Sequence, residues 1–211
     1  VMAGVDDAVG QGFVTSLARP GGNITGTSWL NTELTAKRVE LLKQTVPKLS
    51  RVAFLREAAG AASSLGAAEA AARTLGLRLI AMEIRTPGEI DDVIASLARE
   101  RVGALLVAQG PMIAGQERRI IELAMKQRLP TMFSLRSAVE SGALMSYGPK
   151  PGELYRRAAD MADRILKGAK PGQLPVEQPV TFELVINQKT ADALGITIEG
   201  GTRLSADEII R

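Results

Sequence analysis

Val52-Ala53-Phe54-Leu55, Leu77 to Ile84, Ala104-Leu105-Leu106-Val107-Ala108 and Thr131-Met132-Phe133 are four short apolar runs, and between them residues 52–133 decide the fold. The runs open near Val52, Arg78, Ala104 and Pro130, so consecutive starts are 26 residues apart. Each interval carries a helical stripe: Leu65, Ala68, Ala72 and Leu75, then Ile90, Val93, Ile94 and Leu97, then Ile120, Leu123 and Ala124. Spacings of three and four place each stripe on one helix face. Gly76 is placed to end the first helix, and Pro87 opens the second, where its missing N–H costs nothing. Strands alternating with crossover helices give a parallel sheet with right-handed connections, so residues 50–142 read as a nearly complete doubly wound α/β lobe. The units differ outside their stripes, which excludes a solenoid.

Working outward, residues 1–5 read as a strand end. Val9, Phe13 and Leu17 are spaced as a helix stripe that stops at the turn cluster Arg19-Pro20-Gly21-Gly22-Asn23. Beyond residue 148, Leu154, Ala158, Met161 and Ile165 mark a helix, followed by the Pro-rich stretch Lys170 to Pro179 and a strand at Phe182 to Ile186. A short helix follows, capped by Asn187 and ended by Gly195. These flanks hold too few strands for a sheet of their own. They therefore read as parts of another lobe that is incomplete in this chain: 1–28 as first lobe and hinge, 29–147 as the second lobe, 148–211 as a return to the first. Exposed apolar stripes on such flanks predict weak ligand affinity or self-association. Thr25-Gly26-Thr27-Ser28 and Met145-Ser146-Tyr147-Gly148 fall at the two crossings and suit hinge strands. Trp29, the single tryptophan, follows the first crossing and is expected near the hinge or the cleft mouth.

Composition removes several function classes. With 45% hydrophobic residues and 3% aromatics, the core must be Leu, Ile, Val and Ala. The 26 basic and 23 acidic residues are scattered, giving a net charge of +3, and no basic patch with stacking aromatics exists for a nucleic acid. There is no Cys and no His, which excludes thiol nucleophiles, Cys/His zinc sites, imidazole bases and Ser-His-Asp triads. Gly10-Gln11-Gly12 lacks the third small residue of a dinucleotide fingerprint, and no Gly-Lys-Ser/Thr loop occurs. No cofactor and no metal is expected, and no apolar run approaches the roughly 18 residues of a membrane span.

Several long blocks, in order, resemble a known family. They are Ser16 to Gly26 (SLARPGGNITG), Ala36 to Leu42 (AKRVELL), Gly142 to Pro149 (GALMSYGP), Ile165 to Pro171 (ILKGAKP) with Leu174 to Pro179 (LPVEQP), and Phe182 to Asn187 (FELVIN). The chain thereby resembles the ABC transporter substrate-binding family that includes tryptophan-binding-like proteins. The resemblance implies a periplasmic-binding-protein type I fold of two α/β lobes, a small ligand in the cleft between them, and delivery to an ABC membrane permease. It also implies a periplasmic or extracellular membrane-associated location, with a signal peptide and the first lobe's opening strands preceding residue 1. Relatives carry Asp-Pro and Asn-Pro where this chain has Asp7-Ala8 and Arg56-Glu57, so the family's ligand does not carry over.

Open α/β sheets bind ligands beyond the carboxyl ends of their strands. The residues so placed are Asp6, Asp7, Thr27, Ser28, Arg56, Glu57, Gln109, Gly110, Ser134, Arg136, Ser146 and Tyr147. An arginine can grip a ligand carboxylate through paired hydrogen bonds, and an acid can hold an ammonium group, so an amino-acid-like or carboxylate-bearing ligand fits. Structural roles compete: Asp6 and Asp7 as helix caps, Arg56-Glu57 as an exposed pair, Arg136 with Glu140 as an i,i+4 pair, Ser146 and Tyr147 as hinge packing. A ligand sensor on the same fold is the alternative function, and catalysis through carboxylates is disfavoured.

Overall fold

The computed structural model describes residues 1–60 and 62–211. Among the described residues, nine strands run in chain order: β1 Met2–Val5, β2 Gly26–Ser28, β3 Arg51–Glu57, β4 Arg78–Ile84, β5 Ala104–Val107, β6 Thr131–Phe133, β7 Met145–Pro149, β8 Phe182–Asn187 and β9 Glu208–Ile210. The α-helices are α1 Asn31–Thr45, α2 Ala62–Thr74, α3 Ile90–Leu97, α4 Pro111–Gly115, α5 Glu117–Lys126, α6 Arg136–Glu140, α7 Pro151–Leu166, α8 Gln188–Leu194 and α9 Gly200–Ser205. They divide into two compact units, a smaller one of Val1–Asn31 and Pro149–Phe182 and a larger one of Thr32–Gly148 and Glu183–Arg211.

The larger unit is built on one seven-stranded sheet ordered β4-β3-β5-β6-β7-β8-β9. The four apolar runs with the 26-residue period are its strands β3 to β6, and β3 pairs in parallel with both β4 and β5. Leu105 to Val107 and Val52 to Leu55 are buried on both faces, as a helix-covered parallel sheet requires. One face packs Val39 and Leu42 of α1, Ala68 and Ala72 of α2 and Ala191 of α8. The other packs Ile90, Ile94 and Leu97 of α3, Ile120, Ile121 and Ala124 of α5 and Ala138 of α6. The caps read from the sequence form. The Asn187 side chain accepts from the Thr190 N–H at 2.9 Å, and Gly195 ends α8 in the left-handed region at φ 72°.

The return of the chain differs from the expectation. The sequence places residues 148–211 as a return to the first lobe, but from Glu183 onward, through β8, α8, α9 and β9, the chain belongs to the larger unit, and β8 sits beside β7 in its sheet. Leu184, Val185 and Ile186 are buried in succession. A strand apolar on both faces needs cover on both, which the long sheet and its helices supply. Only Pro149–Phe182 stays with the smaller unit, so the chain passes between units after Asn31, Gly148 and Phe182.

In the smaller unit β1 and β2 pair in parallel, with Met2 opposite Gly26 and Ala3 opposite Thr27. The Pro-rich stretch lies along the far side of β2: Glu177 N–H donates to Gly26 O and Ser28 N–H donates to Glu177 O, both at 2.9 Å. Leu154, Ala158 and Met161 form the buried stripe of α7, as their spacing predicts.

The helix expected over Val9, Phe13 and Leu17 does not form. Asp7 accepts from Gly10 N–H at 2.8 Å and one turn closes through Gln11 N–H to Asp7 O. Gly12 then enters the left-handed region at φ 73°, while its N–H donates to Val9 O and Phe13 N–H donates to Ala8 O. That pair of bonds is a Schellman stop, so the segment ends as a helix after one turn. Val9 and Phe13 are left 44% and 43% exposed, and the small apolar cluster is built from Ala8, Val14 and Val176 instead.

Trp29 is 7% exposed. Its ring lies 6.1 Å from that of Tyr155 in an edge arrangement and covers Gly4, where a Cβ would fall 2.2 Å from the indole nitrogen. The indole is thus shielded inside the smaller unit.

Candidate functional site

Sheet order brings most of the candidates together. β3, β5, β6 and β7 are successive strands of the larger unit. Their carboxyl ends present Arg56-Glu57, Gln109-Gly110, Ser134 and Ser146-Tyr147 along one edge. Neighbouring parallel strands lie about 4.8 Å apart, so this row spans roughly 15 Å, enough to face a small solute.

Glu57 takes the most defined position. Its Oε1 accepts from Ile113 N–H at 2.8 Å, in the first turn of α4. Gly110 precedes that helix, and a Cβ there would fall 2.3 Å from the same oxygen. Glycine is what leaves the carboxylate room.

Arg56 turns elsewhere. Its Nη2 donates to Glu83 at 2.5 Å and its Nη1 to Gly60 O at 2.9 Å, while Arg85 holds the other Glu83 oxygen at 2.6 Å. Arg136, the other expected anion partner, is bound to both carboxylate oxygens of Glu208 and to Glu140 at 2.6 Å. Those carboxylates hold its guanidinium even further above neutrality than usual, hydrogen bonding to Glu208 contributing most. Both arginines are engaged as tethers, Arg56 to β4 and Arg136 to β9.

Ser134 carries the clearest anomaly. It is 5% exposed, and among the described residues its hydroxyl is the buried side-chain oxygen or nitrogen with no hydrogen-bond partner. A buried polar atom without a partner costs about 1–3 kcal/mol. Ser146 is also buried, and Tyr147 O accepts from Arg38 Nε at 2.7 Å. Arg38 was not among the sequence candidates. It is 2% exposed, and it lies four residues from both Leu34 and Leu42 on the buried face of α1. A charge inside an apolar helical stripe was the available signal.

The smaller unit offers a second, shorter edge. Asn31 donates to Asp6 Oδ1 at 2.7 Å, Ser28 Oγ to Asp6 O at 3.4 Å, and Leu30 N–H to Ser28 Oγ at 3.4 Å. Leu30 turns the chain out of β2 at φ 56°, a conformation that a leucine rarely adopts. Thr27 is fully buried and accepts from Gly4 N–H at 3.0 Å, which makes it part of the β1–β2 joint. Asp7 caps the aborted turn.

An open groove of about 650 Å³ on the outer side of α7 is lined by Glu153, Arg156, Arg157, Asp160, Arg164 and Glu177 around Met161. Three arginines face three carboxylates, and Arg157 is paired with Glu177 at 2.8 Å. This is a charge-balanced solvated face. Among the described residues there is no group of acids able to hold a metal ion, and no helix is long and apolar enough to cross a membrane.

Removing the orphan hydroxyl separates folding from binding. Ser134→Ala is expected to raise unfolding stability by about 1 kcal/mol, because the penalty of the unpaired oxygen disappears. The same change should weaken ligand binding if the hydroxyl serves a ligand, and paired thermal melts and calorimetry read the two effects. A variant that is destabilised would show Ser134 to be paired in solution.

The sequence profile described as ABC transporter substrate binding protein matches residues 1–210. A tyrosine-binding protein of Clostridioides difficile (strain R20291) is 29% identical over 212 residues, covering 99% of this chain and 59% of that protein. The solved ABC domain from Streptococcus pneumoniae in complex with L-Trp superposes with a TM-score of 0.91 at 29% identity, covering 99% of this chain and 70% of that one. A conserved domain protein from Vibrio cholerae gives 0.93 at 27% identity, with the same coverage. The chain thus spans about three fifths of the curated relative and 70% of the solved chains. With the profile matched over almost every residue and the parallel α/β architecture agreeing with it, the chain belongs to the ABC transporter substrate-binding protein family.

Proposed function

We propose that this chain is part of the extracytoplasmic solute-binding component of an ABC importer, carrying a small amino-acid-like ligand to a membrane permease without altering it chemically. The observation that carries this reading is the carboxyl edge of the larger sheet. There Glu57, Gln109, Gly110, Ser134, Ser146 and Tyr147 converge on adjacent strands, and the Ser134 hydroxyl lacks a partner. Strand ends of parallel sheets present polar backbone and side-chain groups to solutes, and an unpaired buried hydroxyl calls for one more hydrogen bond. The relatives named for tyrosine and bound to L-Trp support an aromatic amino acid as the ligand class. At the carboxyl ends of β1 and β2, Asp6, Asp7, Thr27 and Ser28 are proposed as binding residues of the smaller unit.

Calorimetry of the full-length protein with L-tyrosine and L-tryptophan tests the reading. Saturable one-to-one binding of at least one of them is expected, with the amino acid recovered unchanged after incubation. Failure of both to bind would sink the proposed ligand class, and their conversion would sink the receptor role.

A further inference from the structure

We infer that Glu57 is the anchor for a cationic nitrogen on the ligand, taking an ammonium group on its second carboxylate oxygen, Oε2. This rests on the receptor reading and assigns the ligand's chemistry at one residue.

The charge balance at the strand edge points there. Glu57 spends Oε1 on the Ile113 N–H, and among the described residues no hydrogen bond or ion pair reaches its Oε2. The adjacent Arg56 does not neutralise it, because that guanidinium is turned to Glu83 and to the Gly60 carbonyl. Asp6 and Asp7 differ: Asp6 holds Asn31, and Asp7 holds the Gly10 N–H. Among the described residues no cation is paired with the Glu57 carboxylate, which is half-buried and fixed in direction by its bond to Ile113. A half-buried carboxylate is incompletely hydrated, so an incoming cation gains more from it than from an exposed one.

A second observation on the same edge is independent of charge. The unpartnered Ser134 hydroxyl follows β6, and only β5 separates that strand from β3. Two strand spacings set the backbones of Glu57 and Ser134 about 10 Å apart. Gly110 follows the intervening strand, and its missing side chain is what lets the Glu57 carboxylate lie over that strand end. An acid with a spare oxygen, a glycine and a hydroxyl without a partner thus occupy three successive strand ends.

The test uses full-length protein with four probes: L-tyrosine, L-tryptophan and their des-amino analogues 3-(4-hydroxyphenyl)propionate and indole-3-propionate. Native protein should bind an amino acid at least tenfold more tightly than its des-amino analogue. Glu57→Gln keeps an oxygen for Ile113 and removes the charge, so it should lower amino-acid affinity tenfold or more while the analogue's affinity holds. Gly110→Ala, whose methyl displaces the carboxylate, should reproduce the loss, and thermal melts confirm that both variants fold. A native preference that persists unchanged in Glu57→Gln overturns the assignment and leaves the receptor reading standing. If neither amino acid binds the native protein, the proposed ligand class falls and the Glu57 assignment falls with it.

Discussion

Alanine at Gly26 is expected to cost about 3–5 kcal/mol and to unfold the smaller unit selectively. Two penalties coincide there. The residue sits at φ 154°, outside the comfortable range of an L side chain, and a Cβ would fall 2.0 Å from Met2 O and 2.6 Å from Met2 N. The obstacle is backbone, which cannot rotate aside as a side-chain tip can. Strain of this kind costs about 1–3 kcal/mol, and forced overpacking adds about 1–3 kcal/mol more. Relief would require parting β1 from β2, whose register sets Met2 against Gly26 and whose joint includes the Met2 N–H to Thr25 O bond at 2.7 Å. The buried apolar cluster beside it, Ala8, Val14 and Val176, is too small to absorb the loss. Limited proteolysis with circular dichroism reads the outcome: early cleavage in residues 1–31, with most of the helix signal retained. Gly22→Ala is the control, since nothing lies within 4 Å of its added methyl, and it should fall within about 0.5 kcal/mol of native. Equal stability of the two variants would show that β1 and β2 are spaced differently in solution.

Arg38→Met should destabilise the larger unit by about 3 kcal/mol. Methionine keeps most of the length and the apolar stem, so packing of α1 against Val39's neighbours survives while the guanidinium is lost. Hydrogen bonds from charged donors contribute about 1.5–3 kcal/mol, and the Tyr147 carbonyl left behind adds a desolvation penalty of about 1–3 kcal/mol if water cannot reach it. The bond spans 109 residues of sequence and ties the middle of β7 to a helix on the sheet's face, so its loss loosens the strand from that helix. Arg38→Lys should recover only part of the stability, because an ammonium does not reproduce the direction of Nε. Urea unfolding that moves the midpoint without changing the slope would be the expected signature. An unchanged midpoint for Arg38→Met would show that the carbonyl finds another donor.

How far the sequence discloses the fold depends on whether a feature is local. The strands from β3 to β6, the caps at Asn187 and Gly195 and the stripe of α7 all follow from spacings within a dozen residues. The helix expected over Val9 and Phe13 fails on an equally local ground: Gly10 and Gly12 stand inside the pattern, and Gly12 takes the conformation that stops a helix. The position of β8 could not be had from spacing alone, since it is decided by which sheet edge is open after an excursion through another unit. Even so, the unbroken run Leu184-Val185-Ile186 demanded burial on both faces, and flanks with so few strands could not provide it. At the site, the strand-end rule finds Glu57, Gly110 and Ser134, because sheet order and chain direction suffice. It does not foresee that Arg56 and Arg136 are taken by Glu83 and Glu208, which lie on the outermost strands β4 and β9. Nor does it find Arg38, whose partner is a carbonyl and leaves no trace in residue type.

The late arrival of β8 also has a consequence for synthesis on the ribosome. Strands β3 to β7 are translated in one stretch and can pair as they leave the exit tunnel, but the strand that follows β7 in the sheet comes only after α7 and the Pro-rich segment have been made. Until then the nascent chain presents β7 as an open edge, with Met145 and Leu144 awaiting cover. Unpaired apolar edges are where chains join the wrong partner. The vulnerable interval in the life of this protein therefore begins when residue 149 emerges and ends when Phe182 to Asn187 can reach the sheet, and slow decoding within that interval would raise the yield of aggregates.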